Sequence, residues 1–208
     1  MGEKKHAVYT LSLFLVTLAV YFPLCALLRA GGDPPVYYYG RLIELLSILL
    51  FAALAVATPM KFADMGIVVP RGLLLRSLSA GVGIALAFAA LLAAAAAFFG
   101  HAPLFSFAVR GDISRATYIL VAPLQEVLGK SAMYYSFELC FDRAHPHLAN
   151  GLCAVTFALF HAVYGPRMML LAALLSLVTG WLFQKYRCVW GCAAVHFALG
   201  FLPPCFGF

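Results

Sequence analysis

The chain has 208 residues, of which 64% are hydrophobic and 11% are charged, and its formal net charge is +6. Soluble domains are about 45–50% apolar and about 25% charged, so this composition excludes an ordinary soluble domain and indicates an integral membrane protein. The fourteen Lys and Arg are scattered between apolar segments. That pattern is typical of helix flanks and orientation signals, and it argues against nucleic-acid binding.

Seven apolar segments follow one another along the chain. They cover roughly residues 7–28, 41–59, 77–99, 113–140, 149–164, 168–184 and 188–206. The breaks between them contain Gly, Pro and charge, as turns do. Because a lipid-exposed strand would leave its backbone unpaired, we expect an all-α, polytopic transmembrane bundle of about seven spans, with a range of six to eight. An eighth span would come from a segment hidden in 29–60 or 100–120.

The distribution of basic residues predicts the orientation. With seven spans the termini fall on opposite sides of the membrane. We expect membrane lipid to surround the bundle. The side of the N-terminus then carries eight Lys and Arg, and the other side carries five. Since cytoplasmic loops hold the excess of positive charge, we expect a cytoplasmic N-terminus.

The six cysteines lie in or next to apolar segments and show no framework spacing, so we do not expect a disulfide scaffold. Cys188, Cys192 and His196 fall on neighbouring turns of one predicted helix. A metal site there is a minor alternative, because Cys also packs well between helices as a small residue. We expect no cofactor.

Three ionisable residues, Glu126, His161 and His196, stand well inside apolar segments of the C-terminal half. Such groups cost several kcal/mol in a span by contested estimates of about 2.5 or more, and they usually face an interior cavity. Counted from the predicted cytoplasmic ends at about 1.5 Å per residue, all three can share one level near the midplane. A catalytic site is therefore the default hypothesis.

Three short motifs hold these residues: Pro123-Leu-Gln-Glu126, Phe157-Ala-Leu-Phe-His161 and His196-Phe-Ala-Leu-Gly200. Their order and spacing resemble the CPBP family of intramembrane glutamic endopeptidases, also called the Abi family, which includes CAAX proteases and bacteriocin-processing enzymes. The family pattern is a Pro three residues before E-E-x-x-x-R, then F-x-x-x-H, then H-x-x-x-N. The resemblance implies one integral domain over 1–208, with N-terminal spans in 1–112 and a CPBP-like catalytic core in 113–208.

Two registers fit the degenerate first motif. If Glu126 is the first family Glu, Val127 takes the second position and Ser131 the Arg position; Pro123 favours this register. If Glu126 is the second Glu, Gln125 replaces the catalytic first Glu and Lys130 takes the Arg position.

In the third motif Gly200 replaces Asn, so one implied oxyanion donor is absent in either register.

Peptide hydrolysis in a membrane needs a water, a base and an oxyanion stabiliser in one dry cavity. The resemblance implies that Glu126 and His161 activate the water, that His196 helps to hold the oxyanion, and that no metal takes part.

Lys130 lies one turn after Glu126, where it is a candidate counter-charge. Tyr134 continues the stripe and either donates to substrate or simply packs in the bundle, whereas Glu138, Asp142 and Arg143 are expected on a solvated or interfacial face.

The implied substrate is a membrane-associated protein or peptide cut near its C-terminus. Its tail can be a prenylated CAAX sequence, a sorting tail or a bacteriocin leader. Two alternatives remain open. One is an inactive membrane scaffold or immunity protein that keeps the fold; the other is a zinc metalloprotease, because Glu and His are legitimate zinc ligands.

Overall fold

The computed structural model describes residues 3–32, 36–57, 61–100 and 113–206, and these ranges hold helices joined by turns with no strand. The helices are α1 (Glu3–Ala30), α2 (Val36–Ala57), α3 (Arg71–Phe98), α4 (Ile113–Glu126), α5 (Tyr135–Cys140), α6 (Pro146–Leu159), α7 (Pro166–Tyr186) and α8 (Val189–Phe201). A π-helix, Val127–Tyr134, joins α4 to α5, and 3-10 turns at Ala162–Tyr164 and Pro203–Phe206 follow α6 and α8. The predicted all-α bundle is confirmed.

Each of the seven apolar segments corresponds to one helical segment, because α4, the π-helix and α5 run without interruption from 113 to 140. Four helices, α1, α2, α3 and α7, have the length and the apolar composition needed to cross a bilayer, and α8 reaches that length only together with the 3-10 turn that follows it, over Val189–Phe206. Helix α6 has 14 residues, about 21 Å of helix, which is shorter than a hydrocarbon core of about 30 Å. The count of seven spans therefore stays a prediction, and part of the proposed extra segment, 101–112, lies outside the described residues.

The exterior of the bundle is apolar. Val56 is 90% exposed, Phe98 is 85% exposed and Leu120 is 72% exposed. A soluble protein does not expose apolar surface on this scale, whereas lipid tails cover it without cost. The protein is accordingly an integral membrane protein.

Contacts at one end of the bundle join three loops. The ammonium of Lys4 lies 2.7 Å from Oδ2 of Asp142, so the start of α1 meets the end of α5. The Val189 N–H donates to the Gly66 carbonyl at 3.1 Å, which ties the α2–α3 loop to the start of α8. Gly66 has a φ of 67° and stands so close to the backbone of Arg187 that a Cβ would collide with it, and both facts require glycine.

Contacts at the other end join the remaining connections. Arg41, near the start of α2, donates to Oγ1 of Thr117 near the start of α4 at 3.2 Å. Ala96, near the end of α3, packs with Cys205 after α8. Successive segments therefore alternate in direction, and the first and last described residues lie at opposite ends of the bundle.

Helices α3 and α8 cross at unusually close range. A Cβ on Gly81 would overlap the backbone of Gly191, and a Cβ on Gly191 would overlap the backbone of Ser77. Small residues allow such close approach between membrane helices, where dispersion contacts replace the hydrophobic effect as the driving force. This crossing fixes α8, and with it His196, against the rest of the bundle.

The π-helix lies at the centre of the fold. All eight of its residues are buried, and Glu126 immediately precedes it. A π-helix has more residues per turn than an α-helix, and single π turns within α-helices are frequent at functional sites. The apolar pattern of the sequence did not predict it.

Candidate active site

Glu126 is held at the end of α4, with 1% of its surface exposed. Its Oε1 lies 2.8 Å from Nδ1 of His196 on α8. Its Oε2 is buried and meets no hydrogen-bond geometry within the described residues, although the Thr179 hydroxyl is near enough to act on the carboxylate. A buried carboxylate oxygen without a partner costs free energy, so this atom is a natural place for a water or a substrate group.

His196 is 3% exposed, in the middle of α8. The contact with Glu126 orients its ring, as a carboxylate commonly does for a catalytic histidine. The ring also meets Phe157 edge-on, with the centroids 5.8 Å apart. His196 and Glu126 therefore form a buried acid–base pair across α4 and α8.

His161 lies just after α6, where its Nδ1 is 2.9 Å from the Phe157 carbonyl oxygen. A carbonyl only accepts hydrogen bonds, so Nδ1 carries the proton in this contact and Nε2 is the basic nitrogen of the neutral ring. The His161 and Phe157 rings have centroids 4.9 Å apart. Phe157 thus packs against both histidines, which places it between them as a spacer.

A cavity of about 40 Å³ opens next to His161, and it has room for at least one water molecule. Its polar lining comes from Thr17, Ser47, Gln125 and His161, and the rest of its lining is mainly apolar. Glu126 and His196 do not line it. The predicted trio is therefore only partly assembled: Glu126 meets His196, while the cavity brings His161 together with Gln125.

Lys130 does not form an ion pair with Glu126 in the described structure. Its ammonium donates to the carbonyl and the hydroxyl of Ser176, at 2.7 and 2.6 Å, and it lies 3.8 Å from Sγ of Cys153. The side chain is buried with 1% exposed, and its charge is near enough to act on Glu126 through space. Lys130 is thus a neighbouring charge whose hydrogen bonds are made to α6 and α7.

Tyr134 packs inside the bundle, the plainer of its two predicted roles. Its hydroxyl donates to Oε1 of Glu138 at 2.6 Å, and the Arg187 guanidinium binds the same carboxylate through both terminal nitrogens, at 2.5 and 2.7 Å. These bonds raise the pKa of Arg187 above its ordinary value. The prediction that Glu138 is solvated is wrong, since only 1% of its surface is exposed. Arg187 and Tyr134 compensate for its charge inside the bundle. Asp142 and Arg143 are exposed, as predicted.

Gly200, on the last turn of α8, contacts Tyr118 of α4. A Cβ at position 200 would collide with the phenol oxygen and two ring carbons of Tyr118. The Tyr118 ring lies 6.1 Å from the His196 ring, centroid to centroid. Sequence reasoning did not find Tyr118, because a tyrosine on an apolar helix carries no motif that distinguishes it.

The cysteines and potential metal ligands are dispersed. All six cysteines are free thiols, and Cys192 donates to the carbonyl of Thr179 at 3.2 Å. Within the ranges that the structure describes, no three His, Cys, Asp or Glu side chains are grouped so that they could hold a metal ion.

Comparison with known proteins adds one finding. Residues 113–202 match the family model described as type II CAAX prenyl endopeptidase Rce1-like. This segment of the chain is similar to the Rce1-like family. No curated protein sequence matches the chain, and no solved structure matches it.

The Rce1-like segment contains all the predicted site residues. It runs from α4 to the end of α8, and it therefore holds the Glu126–His196 pair, the π-helix and His161. The description of the Rce1-like family names a protease, a CAAX prenyl endopeptidase. Helices α1 and α2 precede the segment, yet they supply Thr17 and Ser47 to the cavity, so the site draws on more of the chain than the family segment alone.

Proposed function

We propose that this protein is an intramembrane endopeptidase of the glutamic type, which cleaves a membrane-associated protein or peptide near its C-terminus. The observation that carries the proposal is the buried pair of Glu126 and His196, 2.8 Å apart, with the second carboxylate oxygen unpartnered. A carboxylate kept in a bundle with a lipid-facing exterior needs a reason, and general-base catalysis is a sufficient one.

The proposed mechanism is direct attack by water. Glu126 accepts a proton from the water through Oε2, and the water oxygen forms a bond to the carbonyl carbon of the peptide. His161, whose Nε2 is basic, orients the water, takes the transferred proton from Glu126 on Nε2, and gives it to the leaving amine as the C–N bond breaks, which returns both side chains to their starting state. His196, protonated on the nitrogen that faces the developing charge, helps to stabilise the oxyanion. Closure around substrate would bring Glu126 and His161 onto one water, since catalytic contacts are often long without substrate.

The proposed substrate is a lipidated tail, as the description of the family suggests. A membrane-embedded site receives a peptide most readily when the peptide is anchored in the same bilayer, which raises its local concentration. A sorting tail or a bacteriocin leader anchored by its own apolar segment satisfies the same requirement.

The test is cleavage by the purified protein in liposomes, read by mass spectrometry. Two peptides of one CAAX-type sequence, one with a prenyl group and one without, are compared with an apolar sorting-type tail. We expect cleavage within the last few residues of an anchored peptide and little cleavage of the free one. Equal cleavage of the free and anchored peptides would contradict the proposed substrate class, and no cleavage of any peptide would contradict the activity.

A second candidate function is a non-catalytic membrane scaffold or immunity protein. The observation in its favour is that Gln125, and not Glu126, lines the cavity beside His161. If Gln125 occupies the position of the base, its amide cannot accept a proton from water, and the chemistry is lost although the fold remains. The two candidates differ in what Gln125→Glu does to cleavage.

A further inference from the structure

Tyr118 and Gly200 contact each other at close range. Any side chain at position 200 would overlap the phenol oxygen and ring of Tyr118. The phenol ring is also stacked on Phe197, one turn before Gly200, with the centroids 6.0 Å apart. Glycine at position 200 therefore leaves the space that the end of the Tyr118 side chain occupies.

The hydroxyl of Tyr118 lies beside the buried acid–base pair. The hydroxyl oxygen is 3.5 Å from the backbone carbonyl oxygen of His196. This distance is the outer limit for a hydrogen bond, so the bond is weak. The charge of Glu126 acts on the phenol, which places it within electrostatic reach of the carboxylate. Tyr118 is partly exposed as a residue, and its ring and hydroxyl pack against His196, Phe197 and Gly200 of α8.

A donor that is weakly engaged at rest can turn to a better acceptor. An oxyanion is a much stronger acceptor than a backbone carbonyl, and bonds to it are roughly twice as strong as neutral ones. The stacking on Phe197 and the contact with Gly200 hold the ring in place, so little reorganisation is needed when charge develops.

We propose that the O–H of Tyr118 is a catalytic hydrogen-bond donor, which binds the peptide carbonyl oxygen as it becomes an oxyanion. The position opened by Gly200 is where the resemblance expects an asparagine, so the phenol of α4 takes the place of a donor missing from α8. This inference rests on the proposed function, because it requires that the protein cleaves a peptide.

The first test removes the hydroxyl alone. Tyr118→Phe keeps the stacked ring and should lower kcat by about 10²–10³-fold with little change in KM, the usual effect of losing one oxyanion donor. Tyr38→Phe is the control, since Tyr38 is an exposed tyrosine on α2 and should leave kcat unchanged. A residue that only packs would leave kcat unchanged in Tyr118→Phe as well.

The second test exchanges the donors between helices. Gly200→Asn should abolish cleavage, because the new side chain collides with the phenol, and Tyr118→Ala should lower kcat because the donor is gone. The double variant Tyr118→Ala with Gly200→Asn should recover at least tenfold over either single variant, since the amide then has room and can donate. Tyr118→Ala with Gly200→Leu is the matched control, because leucine fills the same space without a donor and should not recover. Equal recovery with leucine and with asparagine would show that Tyr118 serves only to fill space.

The outcomes separate the two proposals. If the wild type cleaves and Tyr118→Phe has the same kcat, the role of Tyr118 is wrong and the proposed activity stands. If Tyr118→Phe does not fold, absence of rescue in the double variant overturns the role instead. If the wild type cleaves no anchored peptide, the activity and the role of Tyr118 both fall.

Discussion

At the scale of single residues, Lys130 illustrates how a buried charge is tolerated. Spacing on an ideal helix predicts that it faces Glu126 one turn away. In the structure the widened π turn begins right after Glu126, and the ammonium reaches Ser176 on α7 instead. Two short hydrogen bonds satisfy the ammonium, and its charge still acts on the carboxylate through space.

Lys130→Met tests whether that charge matters for chemistry. Methionine keeps the volume and removes the cation, so we expect a folded protein whose kcat falls about tenfold, equivalent to about 1.4 kcal/mol. Lys185→Met is the control, because Lys185 is exposed on α7. A loss as complete as that of Glu126→Gln would instead make Lys130 part of the machinery.

Whether a metal takes part is also a question about single residues. Glu126 and His196 are suitable zinc ligands by type, but they contact each other in the structure. We expect cleavage of an anchored peptide to continue at its full rate in the presence of a strong chelator. Inhibition by the chelator that added zinc reverses would favour the metalloprotease alternative.

At the scale of elements, the partly buried ion pair between α5 and the α7–α8 connection holds these two parts of the chain together. Glu138 is buried and accepts hydrogen bonds from Arg187 and Tyr134. Arg187 is about half exposed, with 47% of its side chain accessible. Removal of the arginine would leave a buried carboxylate without its counter-charge, which is more costly than the loss of an exposed pair.

We therefore predict that Arg187→Met lowers the free energy of unfolding by about 2 kcal/mol, a value reduced from that of a fully buried pair because Arg187 is half exposed. Lys4→Met breaks the exposed pair with Asp142 and should change it by about 0.5 kcal/mol or less. Unfolding in mixed detergent measures both. Equal losses in the two variants would contradict this role for Glu138 and Arg187.

The elements show what sequence reasoning can and cannot predict. Apolar runs predicted the helical segments because lipid enforces helical backbone pairing, and the predicted fourth segment, 113–140, coincides with α4, the π-helix and α5. The π-helix itself was missed, since one additional residue per turn leaves no mark in an apolar run. Lys130 departs from the i, i+4 spacing within this widened turn, and Arg187 is the partner of Glu138 that spacing did not suggest, whereas Tyr134 lies four residues before it.

The site shows the same limit. Glu126 and His196 were predicted to share a site, and they are in contact. A buried ionisable group in an apolar bundle is stabilised when it hydrogen-bonds to another polar group. Which face of α4 the cavity would meet depends on helix rotation, which the sequence does not encode locally. Thus Gln125 rather than Glu126 lines the cavity, and Tyr118 was found only through its contact with Gly200.

At the scale of the whole molecule, alternating segments predict a defined sidedness. Single cysteines at positions 3, 142, 167 and 204 in a cysteine-free variant can be labelled from one side of sealed vesicles. We expect Glu3→Cys and Asp142→Cys to react from the cytoplasmic side, and Arg167→Cys and Pro204→Cys from the other, because the described contacts place these pairs at opposite ends. Labelling of positions 3 and 204 from the same side would contradict the seven-span arrangement.

The most direct test of the central claim compares the wild type, Glu126→Gln and Gln125→Glu in cleavage of one anchored tail peptide. Glutamine at 126 keeps the shape and removes the base, so we expect a loss of about 10²–10⁴-fold in kcat with the fold intact, and no gain from Gln125→Glu. Full activity in Glu126→Gln would contradict the assignment of Glu126 as the base. An inactive wild type that Gln125→Glu activates would show that the catalytic position is 125 and that this protein has lost its chemistry there.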